Sequence, residues 1–202
     1  MAPATGTPFV SPGTYRVKLT VNGKTLTRPI TVRQDPRVRT ATVTMQQVYS
    51  LTNALYFGAA GAHAAASTAG SWADQASKLR EAANGDVGAA LDGFAKKIAT
   101  LAGTPPAAAG GGRGGRGGGG GATAPAPAVA EPETLWGIRN QLSGLMNSMQ
   151  AADVAPTANT LAAVSAARAA AARVMAKWNA LRTVEWPALN ARLKAAGLGQ
   201  IE

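Results

Sequence analysis

The hydrophobic positions of this chain follow a period of two up to about residue 33 and a period of three to four after residue 40. A period of two is typical of a half-buried β-strand, and a period of three to four is typical of an amphipathic helix. The apolar positions of the first pattern are Tyr15, Val17, Leu19 and Val21, followed by Leu26, Ile30 and Val32. Asn22-Gly23 stands between the two runs and favours a tight hairpin turn, because both residues tolerate positive φ.

The predicted hairpin has one mostly apolar face and one face of Thr, Lys and Arg. A two-residue loop gives the register Val21 with Lys24, Leu19 with Leu26, Val17 with Arg28 and Tyr15 with Ile30. Pro29 is expected at an edge or a bulge, because it has no amide hydrogen to donate to a neighbouring strand. Two strands alone are marginally stable in water. We therefore interpret residues 1–33 as the last hairpin of a larger sandwich whose earlier strands are missing from this sequence. The alternative is that the hairpin packs on the helices.

The helical pattern predicts two long helices, over residues 41–83 and 157–196, each about 60 Å long at 1.5 Å per residue. Two shorter helices lie between them, one from about Val87 to Leu101 and one from Leu135 to about Ala152. The summed length of these two helices nearly equals the length of one long helix. The prediction is a mainly α fold, namely a long antiparallel bundle of three rods whose middle rod is split by a Gly-rich insertion. A compact four-helix bundle is the alternative.

The predicted organisation has four parts. The hairpin region covers residues 1–39, and the two parts of the bundle cover residues 40–103 and 134–202. Residues 104–133, between the two bundle parts, are rich in Gly, Ala and Pro. Such a composition buries too little apolar area to offset the entropy of ordering, so this segment is predicted to be a disordered, flexible linker.

Composition argues against a large enzyme with a deep interior. Hydrophobic residues make up 46% of the 202 residues, but 46 of them are Ala, and Val, Ile, Leu and Phe together number only 35. That share is below the level expected of an ordinary packed core. The chain has no Cys and one His, which excludes disulfides, thiolate zinc sites, Cys nucleophiles and His-rich metal clusters within it.

The net charge of +10 is uneven along the chain. Residues 1–40 contain seven basic residues and one acidic residue, without a continuous Lys/Arg run. A basic excess can indicate nucleic acid or an anionic surface, but charges spread along strands and helices are typical of solvated faces. Arg113 and Arg116, in a run of Gly-Gly-Arg repeats, resemble RGG segments that bind RNA. Two copies without an interleaved aromatic residue are more typical of a solubilised Gly linker.

The ends of the chain carry no targeting signal that we recognise. The N-terminus lacks the basic and apolar regions of a signal peptide. No uninterrupted stretch of about 18 apolar residues predicts a membrane span. The chain is therefore either cytosolic or a piece of a longer exported protein.

No catalytic, cofactor-binding or metal-binding residue is assigned. His63 has no second His and no nearby carboxylate in sequence, so it is interpreted as a surface or packing residue. Asp74 and Glu81 lie seven residues apart beside Lys78, which is typical of a solvated stripe rather than of a glycosidase pair. The Ser residues lack a base, so no Ser/His/Asp triad is supported. The four tryptophans, interpreted as packing residues, are Trp72, Trp136, Trp178 and Trp186.

Several of these segments together resemble a known family. They are the hairpin with its Pro12-Gly13-Thr14-Tyr15 start, residues 28–32, residues 35–38, residues 155–157, residues 178–181, residues 187–190 and residues 196–198. This combination is similar to the C-terminal region of bacterial sortilin-type BNR-repeat β-propeller proteins, which are often labelled glycosyl hydrolases. The match covers both ends of the chain, with the Gly-rich insertion between them.

The resemblance implies a non-catalytic structural or interaction region at the end of an exported, extracytoplasmic protein. It also implies that residues 1–39 are a partial Ig-like region, that is, an Ig-like terminal β-hairpin. No propeller repeat is present in this chain, so no hydrolase residue is carried over and the chain is expected not to be an enzyme. The expected partner is the preceding β-propeller or Ig-like part of the same protein, or another protein. Nucleic acid is not expected, nor is a membrane span. The alternative is a polyanion- or RNA-binding module that uses the basic hairpin and the RGG linker.

Overall fold

The computed structural model describes residues 6–105 and 133–202. Its elements in chain order are β1 (Gly13–Val21), β2 (Lys24–Val32), α1 (Thr42–Ala82), α2 (Gly85–Ala102), α3 (Leu135–Met149), α4 (Ala158–Ala180), a π-helical turn (Leu181–Glu185) and α5 (Trp186–Ala195). The protein is mainly α with one N-terminal hairpin, as predicted. Nearly all of the predicted linker, including Arg113 and Arg116, lies outside the described residues.

The hairpin has the predicted turn and register. Asn22 and Gly23 both have positive φ, at 50° and 77°, which defines a type I′ turn. The two strands pair without a bulge from Val21 opposite Lys24 to Gly13 opposite Val32. Neither strand packs extensively against a helix in the described part of the chain, so the alternative of a hairpin lying on the bundle is wrong.

The helices form three rods, of which the middle one is split. Contacts along α1 occur in the reverse chain order of α2 and α3: Arg80 with Asp92, Trp72 with Phe94, His63 with Trp136 and Gly58 with Leu142. The end of α2 at Gly103 lies directly against Thr134, the residue before α3. The two shorter helices therefore continue one another and run antiparallel to α1. The compact four-helix alternative is not the arrangement observed.

The third rod consists of α4, the π-helical turn and α5, and it runs in the same direction as α1. Leu51 lies near Leu161 at one end of this contact. Further along, Trp72 contacts the tilted ring of Trp178 and stacks against Trp186. Pro187 lies in the first turn of α5, where its missing amide hydrogen is tolerated. The predicted kink or restart at residues 185–187 takes the form of the π-helical turn that precedes Pro187.

The core is thin and lined with alanine, in agreement with the composition. The buried residues of α1 are mostly small: Thr52, Leu55, Ala59, Ala62, Ala65, Ala66, Ala69, Trp72 and Ala76. The two helices of the middle rod supply larger aliphatic residues, among them Leu91, Ile98, Leu135 and Leu142. Alanine on the long rod leaves room for these larger side chains, so the interior is filled by an unequal pairing of small and large residues.

The end of α3 differs from the prediction, and the start of α4 agrees with it. α3 ends at Met149, three residues before the predicted end, since the Gln150 side chain bonds to the N-terminal segment and the chain turns away over residues 151–154. Thr157 caps α4 by accepting a hydrogen bond from the Thr160 amide at 3.2 Å, which agrees with the predicted start of that helix.

Candidate interaction surface

The apolar face of the hairpin is open to solvent. Its five aliphatic side chains are each about half exposed or more: Val17 53%, Leu19 58%, Val21 55%, Leu26 66% and Ile30 49%. They lie on one face because paired residues of an antiparallel ladder point to the same side. We call this set the hairpin patch. No described residue outside the two strands covers it.

Basic residues accompany the hairpin patch. Lys24 and Arg28 lie on the same face, opposite Val21 and Val17 in the register. Residues 1–34 contain no Asp or Glu, so no carboxylate of the hairpin neutralises these cations. The patch is therefore apolar with a positive edge.

The base of the hairpin is tied to the bundle. The Phe9 amide donates to Gln150 Oε1 at 2.6 Å, and Gln150 Nε2 donates to the Thr7 carbonyl at 3.3 Å. On the other side, the Thr40 hydroxyl donates to the Asp153 carbonyl at 2.5 Å. These bonds join both flanks of the hairpin to the loop after α3. The strands consequently project from an anchored base.

A small cavity lies at this base, with a volume of about 160 Å³. Its lining includes Phe9, Met45, Val48 and Met149, with Asp35 and Asp153 at its margin. Cavities that hold small-molecule ligands usually have volumes of 300–1,000 Å³. This cavity is better described as an imperfect junction between the hairpin and the helices than as a ligand pocket.

The ion pairs of the described chain are all at the surface. Arg37 bonds to both carboxylate oxygens of Asp35, and these bonds hold the pKa of Asp35 below its ordinary value. Arg173 does the same for Glu133, whose pKa is also lowered. Exposed pairs of this kind contribute little to stability. They keep carboxylates charged at positions outside the hairpin.

No family model, curated protein or solved structure matches this chain. The resemblance to sortilin-type propeller proteins therefore stays a prediction from the residues quoted for it.

The structure does not bring the polar candidates together. His63 is exposed on α1 and its ring lies edge-on to Trp136, with ring centroids 5.2 Å apart, so it is a surface and packing residue as predicted. Asp74 and Glu81 are both exposed on α1, consistent with a solvated stripe. Within residues 6–105 and 133–202, no group of three or more His, Asp and Glu side chains is placed to hold a metal ion.

The tryptophans are packing residues. Trp72 and Trp178 are 5% and 4% exposed, and Trp186 lies parallel to Trp72 at a centroid distance of 5.0 Å. Faces occupied in this way do not offer a flat platform for a sugar ring. Along the described helices, none is long and apolar enough to span a bilayer.

Sequence reasoning missed the docking of the C-terminal tail. Ile201 is 1% exposed, and its backbone is held by Asn190, which donates to its carbonyl at 2.8 Å and accepts from its amide at 2.9 Å. Gln75 forms the same reciprocal pair of bonds with Glu202. A single isoleucine among polar and glycine residues carries no periodic signal, so the only available cue was its apolar side chain.

Proposed function

We propose that this chain is a non-catalytic interaction region, in which the hairpin completes a β-sandwich supplied by the preceding part of a larger exported protein of the sortilin-type propeller class. The observation that carries the proposal is the hairpin patch, a row of aliphatic side chains that no described residue covers. The family part of the proposal is supported by the resemblance of the hairpin and the late helix.

The energetics favour burial of this face. Full burial of one Val, Leu or Ile side chain is worth about 1.5–3 kcal/mol. Five side chains that are about half exposed therefore hold on the order of 5 kcal/mol of unrealised burial. That amount is comparable with the whole stability of a small domain. A second sheet packed on the hairpin patch would recover it.

The anchored base supports the same proposal. Because Gln150 and Thr40 hold both flanks of the hairpin, little further ordering is needed when a partner sheet docks. Preorganised surfaces bind more tightly for this reason. The bundle would then act as the rigid body that presents the hairpin.

The decisive experiment uses the coding sequence that precedes Met1. The encoded region is produced as a separate protein, and its binding to this chain is measured by calorimetry. We expect binding that weakens at least 100-fold in the double variant Leu19→Asp/Leu26→Asp. The matched control is Val43→Asp/Val184→Asp, which changes two equally exposed valines on the helices and is expected to bind normally. An unrelated upstream sequence, or equal binding by both variants, would overturn the proposal.

One observation favours the polyanion-binding alternative. Arg16 and Lys18 lie on the same face of β1, in a hairpin without a carboxylate. Phosphate contacts give an affinity that falls steeply as salt rises. Titration with fluorescent single-stranded RNA at 50 and 200 mM salt separates the two functions. Tight, steeply salt-dependent binding that Arg16→Glu/Lys18→Glu abolishes would favour this alternative, whereas our first proposal expects no measurable binding.

A further inference from the structure

The turn determines which backbone groups of the hairpin face outward. In a two-residue hairpin, the residues flanking the turn exchange two hydrogen bonds, and every second pair along the ladder then does the same. Val21 and Lys24 are such a pair. The pairs between them do not bond to each other, and their amide and carbonyl groups point away from the hairpin. These outward-facing pairs are Thr20 with Thr25, Lys18 with Thr27, Arg16 with Pro29 and Thr14 with Thr31.

The two outer edges are therefore not equivalent. The outward row of β1 presents four amide donors, at Thr14, Arg16, Lys18 and Thr20. The outward row of β2 is interrupted in its interior by Pro29, which has no amide hydrogen. A proline of this kind is typical of the last strand of a sheet. An added strand would thus find a complete row of donors only along β1.

We propose that the free edge of β1 receives an extended strand in which aliphatic and acidic residues alternate, and that β2 is the terminal strand of the completed sheet. This inference rests on the proposed function and names the edge and the chemistry of the partner. Val17, Leu19 and Val21 would neighbour the aliphatic residues of the added strand on the hairpin-patch face. Arg16 and Lys18 would neighbour its carboxylates on the other face, because opposite charges on adjacent strands stabilise a sheet.

The positive charge of β1 favours an acidic strand over a second copy of this chain as the added strand. Pairing two copies of β1 edge to edge would bring Arg16 and Lys18 of each copy together, and the hairpin has no carboxylate to separate them. Like charges on directly opposed strands are destabilising. The partner must therefore bring the acidic residues.

The test adds a strand to the full chain. A nine-residue segment of alternating Glu and Val is fused before Met1 through a Gly/Ser linker, which gives the strand a high effective concentration. Amide hydrogen exchange is followed by NMR. We expect exchange to slow at least tenfold at Thr14, Arg16, Lys18 and Thr20 relative to the unfused chain, and to stay unchanged at Thr25, Thr27 and Thr31. A fused segment of alternating Lys and Val is expected to give no protection.

A matched pair of proline variants tests the choice of edge. Thr20 and Thr25 face each other, are both exposed, and share one hydroxyl contact of 3.1 Å that either substitution removes. Thr20→Pro removes an outward donor from β1, and Thr25→Pro removes one from β2. In the Glu/Val fusion, Thr20→Pro is expected to abolish protection of the remaining β1 amides, while Thr25→Pro leaves it intact. Cross-strand contacts between Leu19 and Leu26 verify that both hairpins remain folded.

The outcomes separate this inference from the proposed function. Protection along β2, equal protection by the Lys/Val segment, or concentration-dependent protection of the unfused chain would each overturn the inference. So would the absence of protection in the Glu/Val fusion. None of these results changes the upstream-region binding experiment, which tests the identity of the upstream region and its binding to the hairpin patch.

Discussion

At the scale of single residues, side-chain volume on α1 decides how closely the three rods approach. Ala62, Ala66 and Ala69 are each nearly inaccessible to solvent, whereas Ala64 on the opposite side of the helix is exposed. The same residue type therefore has two roles on one helix. The helical spacing of three and four distinguishes these roles, so the buried face of α1 could be predicted from the sequence.

We predict that Ala66→Leu destabilises the fold by about 1–3 kcal/mol, because the extra atoms do not fit into a filled seam. Ala64→Leu is the control, since it adds the same atoms to an exposed position with nearly the same helix propensity. Urea unfolding of the two variants provides the measurement. Equal stabilities would show that the alanine seam is not closely packed.

The docked tail gives a second prediction at this scale. Ile201→Ala is expected to lower the free energy of unfolding by about 2–4 kcal/mol, because its side chain is buried among the helices. Gln200→Ala, at the exposed neighbouring position, is expected to change it by less than about 0.5 kcal/mol. Thermal unfolding followed by circular dichroism compares the two. A similar melting temperature for both variants would mean that the tail does not contribute to the core.

The Glu133–Arg173 pair predicts a pH dependence. Hydrogen bonds from Arg173 lower the pKa of Glu133 in the folded chain, so the pair stabilises the fold above the ordinary carboxyl pKa. This contribution is lost as pH falls through the lowered value. Because the pair is exposed and contributes little, we expect the melting temperature to fall only slightly more between pH 7 and pH 3 in the unmodified chain than in Glu133→Gln. Arg173→Gln, which removes the charged partner of the same pair, should reduce the pH dependence in the same way.

At the scale of elements, the junction between α2 and α3 depends on one glycine. Gly103 has a φ of +72°, and a Cβ placed there would lie 2.4 Å from the Thr134 hydroxyl. Only glycine satisfies both conditions, since a φ of +72° with a ψ of −170° is a backbone region essentially restricted to glycine, and the contact leaves no room for a Cβ. The end-to-end continuity of the middle rod follows from this close approach.

We predict that Gly103→Ala destabilises the fold by at least about 1–3 kcal/mol through backbone strain alone. Gly93→Ala, in the interior of the same helix and facing open space, is expected to stabilise it by about 0.5–1 kcal/mol. Chemical unfolding of both variants checks the opposite signs. A neutral Gly103→Ala variant would show that the junction is looser than the structure has it.

Elements with a local signal could be predicted, and elements set by distant contacts could not. The Asn22-Gly23 turn determines the register of both strands, so the whole ladder follows from two residues. The end of α3 depends instead on the bond between Gln150 and the Phe9 amide, and the seating of Glu202 depends on Gln75. The bonded residues are separated by 141 and 127 positions along the chain, and contacts between such distant residues leave no periodic pattern in the sequence. The exposure of the hairpin patch likewise depends on whether distant helices cover the strands, which the period-two pattern does not determine.

At the scale of the whole molecule, the two parts of the bundle need each other. The part before residue 104 contains one long rod and half of the middle rod, and the part after residue 133 contains the remainder. Each part alone leaves part of the buried face of its long helix uncovered, because α1 packs against both α2 and α3. We therefore expect the two parts to unfold together as one cooperative unit, although the insertion divides them in sequence.

This arrangement predicts that residues 104–132 can be replaced by about six Gly/Ser residues, with Glu133 retained because it bonds to Arg173. Gly103 and Thr134 already touch, so a short loop can close the gap. For a flexible loop, shortening from about 30 to six residues is expected to stabilise the fold by about 1 kcal/mol. Calorimetric melting of the shortened chain provides the measurement. A large loss of stability would show that the insertion contributes contacts of its own.

The hairpin and the stacked rings of Trp72 and Trp186 lie far apart along α1. The hairpin leads into the first turn of α1, a helix of 41 residues, and Trp72 and the docked tail lie towards its other end. At 1.5 Å per residue this helix is about 60 Å long. A partner bound at the strands would therefore lie about 60 Å from the far end of α1.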